Sequence, residues 1–447
     1  MEFKEFIKQA AHVKPDENQL RMLRETPFYL FVHFSPNTYT DLEWGDGTED
    51  PAIFDPEKLD CRQWAKAALS AGAKGIVLTA KHHDGFCLWQ SAYTEHCMKN
   101  SPYKNGKGDI VKECSDACRE YGLKFGFYLS PWDRNSKYYG TPEYNDYYCN
   151  QLTELLTNYG EIFHVWFDGA CGEGANGKKQ VYDFDRYLAL IKRYQPQATY
   201  FNDAGSIRWC GNESGTVAHA QWAVVPMELC SHCKNIQTGE GPMAGDLSSM
   251  YNTDMDIGAL NNIIYSKGLV FSPAETDMSI RPGWFWHKEQ EPHSLERLFN
   301  TYLGTVGGNT TFNLNVPPTR DGLFDERDVK RLAELGDLIR KTFEKELSGG
   351  VKPEMKMISD TQAEVTLNLK ERVFVHYLDI AENIAEGQRV ENFKVFFRNE
   401  DGVLYQRGCG TTIGSRRIIR LDDDTDLVKV LITSSRDVPD IEWMRLY

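Results

Sequence analysis

In the stretch FHVWFDGACGEG, residues 163–174, Asp168 stands directly behind Val165, Trp166 and Phe167, where an unpaired charge is costly to bury. A second carboxylate, Glu213, sits in the polar, glycine-flanked SIRWCGNESG beside Arg208 and Trp209. Paired carboxylates across a cleft lined by aromatics and histidines suit glycoside cleavage, one attacking the anomeric carbon while the other protonates the departing oxygen. Composition alone leaves Glu213 open to a second reading, as an exposed loop residue, and a lone carboxylate after a strand is commonly a helix cap. Repetition supplies the weight. His33 follows a first apolar run; Lys81, His82, His83 and Asp84 follow a second; Tyr128, Trp132 and Asp133 belong to a third, Trp166 and Asp168 to a fourth, Asn202 and Asp203 to a fifth. Capping requires no such series.

Holding these residues on one face requires repeated strand–helix units. Short β-rich runs alternate with amphipathic segments, the pattern of a parallel sheet. FYLFVHFS (28–35) precedes DPEKLDCRQWAKAALSAGA, with Asp55 as N-cap and Pro56 at the first helical position. KGIVLTAKHHDGF leads to a helix from Asp109 to Gly122, LKFGFYLSPWD to a helix over 144–159, and the Asp168 run to VYDFDRYLALIKRYQPQ and a fifth strand, ATYFNDA. AVVPMEL, GLVFSPAE and TTFNLNVP supply the remaining strands, with helices over 294–304 and 325–346. The expectation is a (β/α)8 TIM-like barrel over residues 1–346, with its site at the carboxyl ends of the strands.

From residue 347 the texture becomes AEVTLNL, RVFVHYLDI, FKVFFRN, RIIRL and LVKVLIT, uninterrupted by helical periodicity. Residues 347–447 therefore read as a C-terminal β-sandwich, and DDDTD (422–426) as a solvated turn between two of its strands. No linker separates the two parts, so they are expected to dock firmly.

The formal net charge of −15 and the lack of a Lys/Arg cluster exclude a nucleic-acid surface. No apolar run is long enough for membrane insertion. Ten Trp and 22 Tyr supply flat surfaces suited to sugar rings. The 11 Cys show no disulfide spacing, and the N-terminus MEFKEFIKQA lacks a secretory pattern. A cytoplasmic setting is favoured, or a periplasmic or secreted one if a signal peptide has been removed. No metal or cofactor is expected: CSHC (230–233) lacks a second cysteine pair, and in the extended KHHDG neighbouring histidines point to opposite faces.

The motifs FVHFSPNTYTDLEWGDG, TAKHHDGFCLW, FYLSPWDR, VWFDGA, RWCGNESG, SIRPGWFWH and GGNTTFNLNVPPTRDG together resemble glycoside hydrolase family 29, the retaining α-L-fucosidases, over nearly the whole chain. The resemblance implies Asp168 of WFDG as nucleophile. RWCGNE and RPGWFWH are similar to the branch that cleaves α-1,3/1,4-linked fucose from branched sugars, which implies Glu213 as acid/base; the interval from Asp168 to Glu213 resembles that branch too. It further implies a fucose pocket built from His33, His82, His83, Tyr128 and Trp166, with Glu43 and Trp44 near sugar hydroxyls and Trp284 and Trp286 as pocket aromatics. The implied partner is a fucosylated oligosaccharide or glycoconjugate glycan. A broad-linkage or aryl-fucoside preference is the alternative within the class, a catalytically silent fucose-binding protein the alternative outside it. Glu275 in SPAETD is the fallback acid/base.

Overall fold

The computed structural model describes residues 3–201, 206–227 and 256–447. Eight parallel strands line a barrel: β1 (Phe28–Val32), β2 (Gly75–Lys81), β3 (Lys124–Leu129), β4 (His164–Trp166), β5 (Thr199–Phe201), β6 (Arg208–Trp209), β9 (Ala274–Ser279) and β10 (Thr310–Asn315). Hydrogen-bonded neighbours run β5-β4-β3-β2-β1-β10-β9-β6, and a parallel Phe201–Ile207 bridge joins the two ends into a ring. Between β6 and β9, β7 (Val224–Pro226) and β8 (Leu269–Phe271) pair antiparallel.

The (β/α)8 expectation holds, but two barrel strands are not the expected ones. Val224–Pro226 of AVVPMEL and the start of GLVFSPAE form the β7–β8 pair outside the ring, while the sixth and seventh barrel strands are Arg208–Trp209 and the polar AETDMS. A search for apolar runs passes over AETDMS because its inward row is acidic.

The outer helices start where side chains satisfy free N–H groups. Asp60, Asp109, Asp183, Ser294 and Asp325 accept backbone N–H bonds at the starts of helices Cys61–Ala71, Ile110–Glu120, Phe184–Tyr194, Leu295–Thr305 and Glu326–Phe343. The first of these begins after Asp60 rather than Asp55, because it is Asp60 that receives the Arg62 N–H.

Strand alternation divides the packing. Phe28, Leu30, Val32, Val165, Phe167, Phe312 and Leu314 face the helices, whereas Tyr29, Phe31, Tyr128, Trp166 and Phe201 form a separate cluster inside the barrel. Helix Glu17–Glu25 adds Met22 to that inner cluster, beside Thr199 at the start of β5 and so at the end away from the strands' carboxyl termini.

Residues beyond the last helix form the C-terminal β-sandwich, built from β11 (Glu354–Ser359), β12 (Gln362–Glu382), β13 (Val390–Arg398), β14 (Leu404–Gly410), β15 (Arg417–Ser435) and β16 (Ile441–Leu446). The long strands β12 and β15 stay paired with each other but shift register between Asn368 and Val373 and again between Val375 and Tyr377. Ala363, Val365 and Leu367 from one end of β12 and Leu378 and Ile380 from the other thereby share one core with Phe393, Val430 and Met444. DDDTD is not a turn: it lies within β15, where Asp422 meets His376 and Arg420, Asp423 meets Arg407, and Asp426 meets Arg398. Cross-strand cations make the acidic run compatible with a strand. The barrel meets this part through Gly307 O, which accepts the Ile418 N–H, and through Asn309, which bonds Gln221 and Ser415.

Candidate active site

At the carboxyl ends of the strands lies a cavity of about 660 Å³, lined by His33, Glu43, Trp44, His82, His83, Trp166, Asp168, Glu213 and Trp284 among others. Alternation explains why these side chains meet. Tyr29, Phe31 and His33 form one inward row; His164, Trp166 and Asp168 form another. Asp168 is the next inward position after Trp166, just beyond the hydrogen-bonded part of β4, so the barrel aims it into the mouth.

Asp168 is held at both oxygens, Oδ2 by the Tyr128 hydroxyl at 3.0 Å and Oδ1 by the Ala170 N–H at 2.7 Å. His83 Nε2 lies 3.7 Å from Oδ2, and His83 Nδ1 is 2.7 Å from Ser130 Oγ. His33 Nδ1 contacts Asn315 Oδ1 at 2.9 Å. Burial pushes His33 down to about 3 and His82 and His83 below the ordinary imidazole range, although the Asp168 charge pulls His83 the other way. At neutral pH the three imidazoles are uncharged hydrogen-bonding groups. His82 Nδ1 is buried without a hydrogen-bond partner among the described residues.

The two rings of His82 and His83 lie 4.2 Å apart and both line the cavity. The opposite-face expectation fails because β2 ends at Lys81 and the chain turns at once. Lys81 itself points away, making a fully buried pair with Asp133 at 3.0 Å and a bond to Gln151 at 2.9 Å. Asp84 accepts Ser35 Oγ and the Phe86 N–H. These residues brace the histidine turn from behind.

Glu213 faces Asp168 across the cavity from the loop after β6. Its Oε2 accepts Trp284 Nε1–H at 3.1 Å. Glu213 as a residue is exposed at the rim, yet partial desolvation of its carboxyl among the cavity walls raises it above the ordinary range; the Trp284 bond opposes this, and the charges of Asp168 and Glu43 add to it. Glu43 accepts the Trp284 backbone N–H at 2.8 Å and lies 2.6 Å from His287 Nε2. A Cβ on Gly283 would stand 2.3 Å from Glu43 Oε1, so a larger residue there would displace the carboxylate from this position. Trp44, more than half exposed, packs edge-on to His83 and Trp132 at the rim.

Two expected pocket residues lie elsewhere. Tyr128 sits behind the cavity wall, stacked on His82, packed against His33 and Trp166, and bonded to Asp168. Trp286 bonds Asp325 and lines a neighbouring depression of about 590 Å³ with Asp41, His287, Lys288, Glu289 and Arg320. Glu275, the fallback acid, is fully buried one layer below the cavity: it accepts bonds from Trp166 Nε1 at 2.7 Å, Asn313 Nδ2 at 3.1 Å and the Tyr29 hydroxyl, and His164 Nε2 lies 3.3 Å away. It has no access to a substrate. Asn202 and Asp203 fall outside the described residues, as do Cys230 and Cys233.

The sequence reading missed His287, Asp277, Asn315 and Gln290. His287 was within reach as the last residue of RPGWFWH. Asp277 and Asn315 were within reach by counting inward positions along β9 and β10, had AETDMS been read as a strand. Among the described residues no group of three or more His, Cys, Asp or Glu has a metal-binding arrangement, and no helix is long and apolar enough to cross a membrane.

A barrel that turns acids, neutral imidazoles and indoles toward one sugar-sized hollow has the build of a glycoside hydrolase. The chain belongs to the α-L-fucosidase family, whose sequence pattern matches residues 31–344. It is 36% identical over 449 residues to α-L-fucosidase 1 of Arabidopsis thaliana, covering 94% of this chain and 84% of that one. Among solved structures it is similar to a glycoside hydrolase 29 family member from a rumen bacterium, at 38% identity and TM-score 0.84 over 98% of this chain and 77% of the other. A Ruminococcus gnavus fucosidase of the same family, solved in complex with fucose, matches at 30% identity and TM-score 0.83 over 98% of this chain and 95% of its own. The chain is thus an α-L-fucosidase of glycoside hydrolase family 29.

Proposed function

We propose that the chain releases terminal α-1,3/1,4-linked fucose from branched, Lewis-type oligosaccharides by double displacement, with Asp168 as nucleophile and Glu213 as acid/base. The observation that carries the assignment of roles is the unequal setting of the two acids in one cavity. Asp168 is pinned at both oxygens and presents its carboxylate at the strand end. Glu213 has one donor among the described residues and a carboxyl raised by partial desolvation and the neighbouring acids, so it keeps its proton longer, as an acid must before it protonates the leaving oxygen. In the second half it takes a proton from water, which attacks the fucosyl-enzyme and returns Asp168 to its carboxylate. His33, His82, His83 and Glu43 bind fucose hydroxyls, while Trp44, Trp166 and Trp284 supply apolar faces to the ring and its methyl group. Retention of the α configuration at the anomeric carbon follows from the two inversions.

Glu213→Ala tests the roles. The variant is expected to lose far more activity on a fucosylated sugar than on an aryl fucoside whose leaving group needs no protonation. Azide should restore turnover by capturing the fucosyl-enzyme as α-fucosyl azide, the configuration that two inversions give, because an anionic nucleophile needs no general base. Equal loss on both substrates without azide rescue removes Glu213 from the mechanism.

The linkage reading is favoured by the depression carrying Trp286, Lys288 and Arg320, which adjoins the fucose cavity through the shared His287. A branched aglycone has a second sugar to rest there; an aryl group has none. Comparing kcat/KM on Lewis a, Lewis x, 2'-fucosyllactose and an aryl fucoside tests this, and preference for the last two replaces it with the broad-linkage reading.

A further inference from the structure

One acidic side chain of the cavity has no part in the roles given so far. Asp277 lies on β9, two residues beyond the buried Glu275 and on the same inward row, beside Asn313 of β10. It is only 2% exposed yet lines the cavity that holds Asp168 and Glu213. Its Oδ1 accepts Trp209 Nε1–H at 3.0 Å, and Trp209 belongs to the RWCGNE loop that carries Glu213. No other side chain among the described residues donates to it.

The geometry points to Asp277 as a third carboxyl of the site, a substrate-contacting residue that is oriented by Trp209 and hydrogen-bonds a fucose hydroxyl. The inference rests on the reading of this cavity as the fucose site. A carboxyl buried this far with a single fixed partner has capacity for a further hydrogen bond, and the cavity is where that bond can be made.

Its protonation state decides what kind of partner it is. The groups facing it are Glu275 on its own strand, Glu213 on the loop after β6, Tyr29 on β1, Cys210 after β6, Asn313 on β10 and the Trp209 indole. Burial comes first and the two glutamate charges second, all raising its carboxyl well above the ordinary range; only Trp209 and its own backbone oppose them, and no cation among the described residues does. In the neutral form that these surroundings favour, Asp277 donates O–H to an oxygen of the sugar, where a carboxylate would only accept. This keeps a further negative charge out of a site that already contains the acids Asp168, Glu43 and Glu213, and it distinguishes Asp277 from the acid/base, which must give up its proton in each cycle.

The test uses the full chain, first measuring fucose inhibition of the wild-type enzyme and then of Asp277→Asn and Asp277→Ala, with thermal melts to confirm folding. Asn keeps an acceptor for Trp209 and an uncharged N–H donor for the sugar; Ala keeps neither. The expected result is a loss of fucose affinity and a rise in KM of about tenfold for Ala, most of it recovered in Asn across the whole pH range. Trp209→Phe, which frees Oδ1 without removing the carboxyl, should give a smaller loss in the same direction. A fucose affinity unchanged in Asp277→Ala overturns the contact, and an Asn variant as impaired as Ala overturns the neutral-donor role. If Asp277→Ala does not fold, the other two variants still decide: full fucose affinity in Trp209→Phe refutes the orientation of Asp277 by Trp209, and a loss of about tenfold in Asp277→Asn refutes the neutral-donor role. If fucose fails to inhibit the wild type, the cavity reading itself fails and this inference with it.

Discussion

Two layers of the barrel interior carry the same kind of residues and put them to opposite uses. In the lower layer, Glu275 is enclosed by Tyr29, Trp166 and Asn313, each donating to it, with His164 beside them. In the upper layer, Asp168, Glu213 and Asp277 have one or two donors each among the described residues and border open volume. The difference teaches that in this barrel acidity alone does not identify the reacting group. A buried carboxylate whose donors are all supplied by the chain is a structural tie, whereas one with capacity to spare at a cavity is a binding or reacting group. The layers also cooperate: Glu275 fixes the Trp166 indole, and Trp166 is the inward neighbour that directs Asp168.

The largest effect is expected at Asp168. Asp168→Ala or Asp168→Asn should lower kcat by about 10³-fold or more, since covalent catalysis is lost, while the melting temperature changes little. Turnover within about tenfold of wild type would remove the upper layer's principal member.

Glu275 should behave in the reverse manner. Glu275→Ala strands three buried donors and is expected to cost about 3 kcal/mol or more of stability, read by denaturant unfolding, with a kcat loss per folded molecule smaller than that of Asp168→Ala. Unchanged stability combined with collapsed turnover would merge the two layers and break the comparison.

The smallest effect sharpens the upper layer itself. The alkaline limb of kcat/KM reports loss of the Glu213 proton. Glu43→Gln removes a negative charge that raises this carboxyl, so the limb should move to lower pH; Trp284→Phe removes a hydrogen bond that lowers it, so the limb should move to higher pH. Movement in the same direction for both variants, or none, would assign the limb to another group.

Much of this protein was legible as a string of residues. Apolar runs ending in His33, His82, Tyr128 and Asp168 were enough to place a site at the carboxyl ends of barrel strands, because strand alternation is local and sends every second residue inward. Helix starts at Asp109, Ser294 and Asp325 were similarly local, each depending on a side chain reaching its own backbone. Other features needed the closed ring. AETDMS does not announce itself as a strand, since its acids are stable only once Tyr29, Trp166, Asn313 and Trp209 from four other strands surround them. Glu275 and Asp277, two residues apart, differ because ring closure seals one against Tyr29 and opens the other to the mouth. Both histidines of KHHDG reach one cavity because the chain turns after Lys81, and that turn is held by a buried Lys81–Asp133 pair joining residues 52 apart. Residue type and periodicity thus determined which chemistry the chain could perform and which faces would carry it. Tertiary structure decided which acids are closed and which are open, because the donors that close them come from distant strands and converge only when the sheet meets itself.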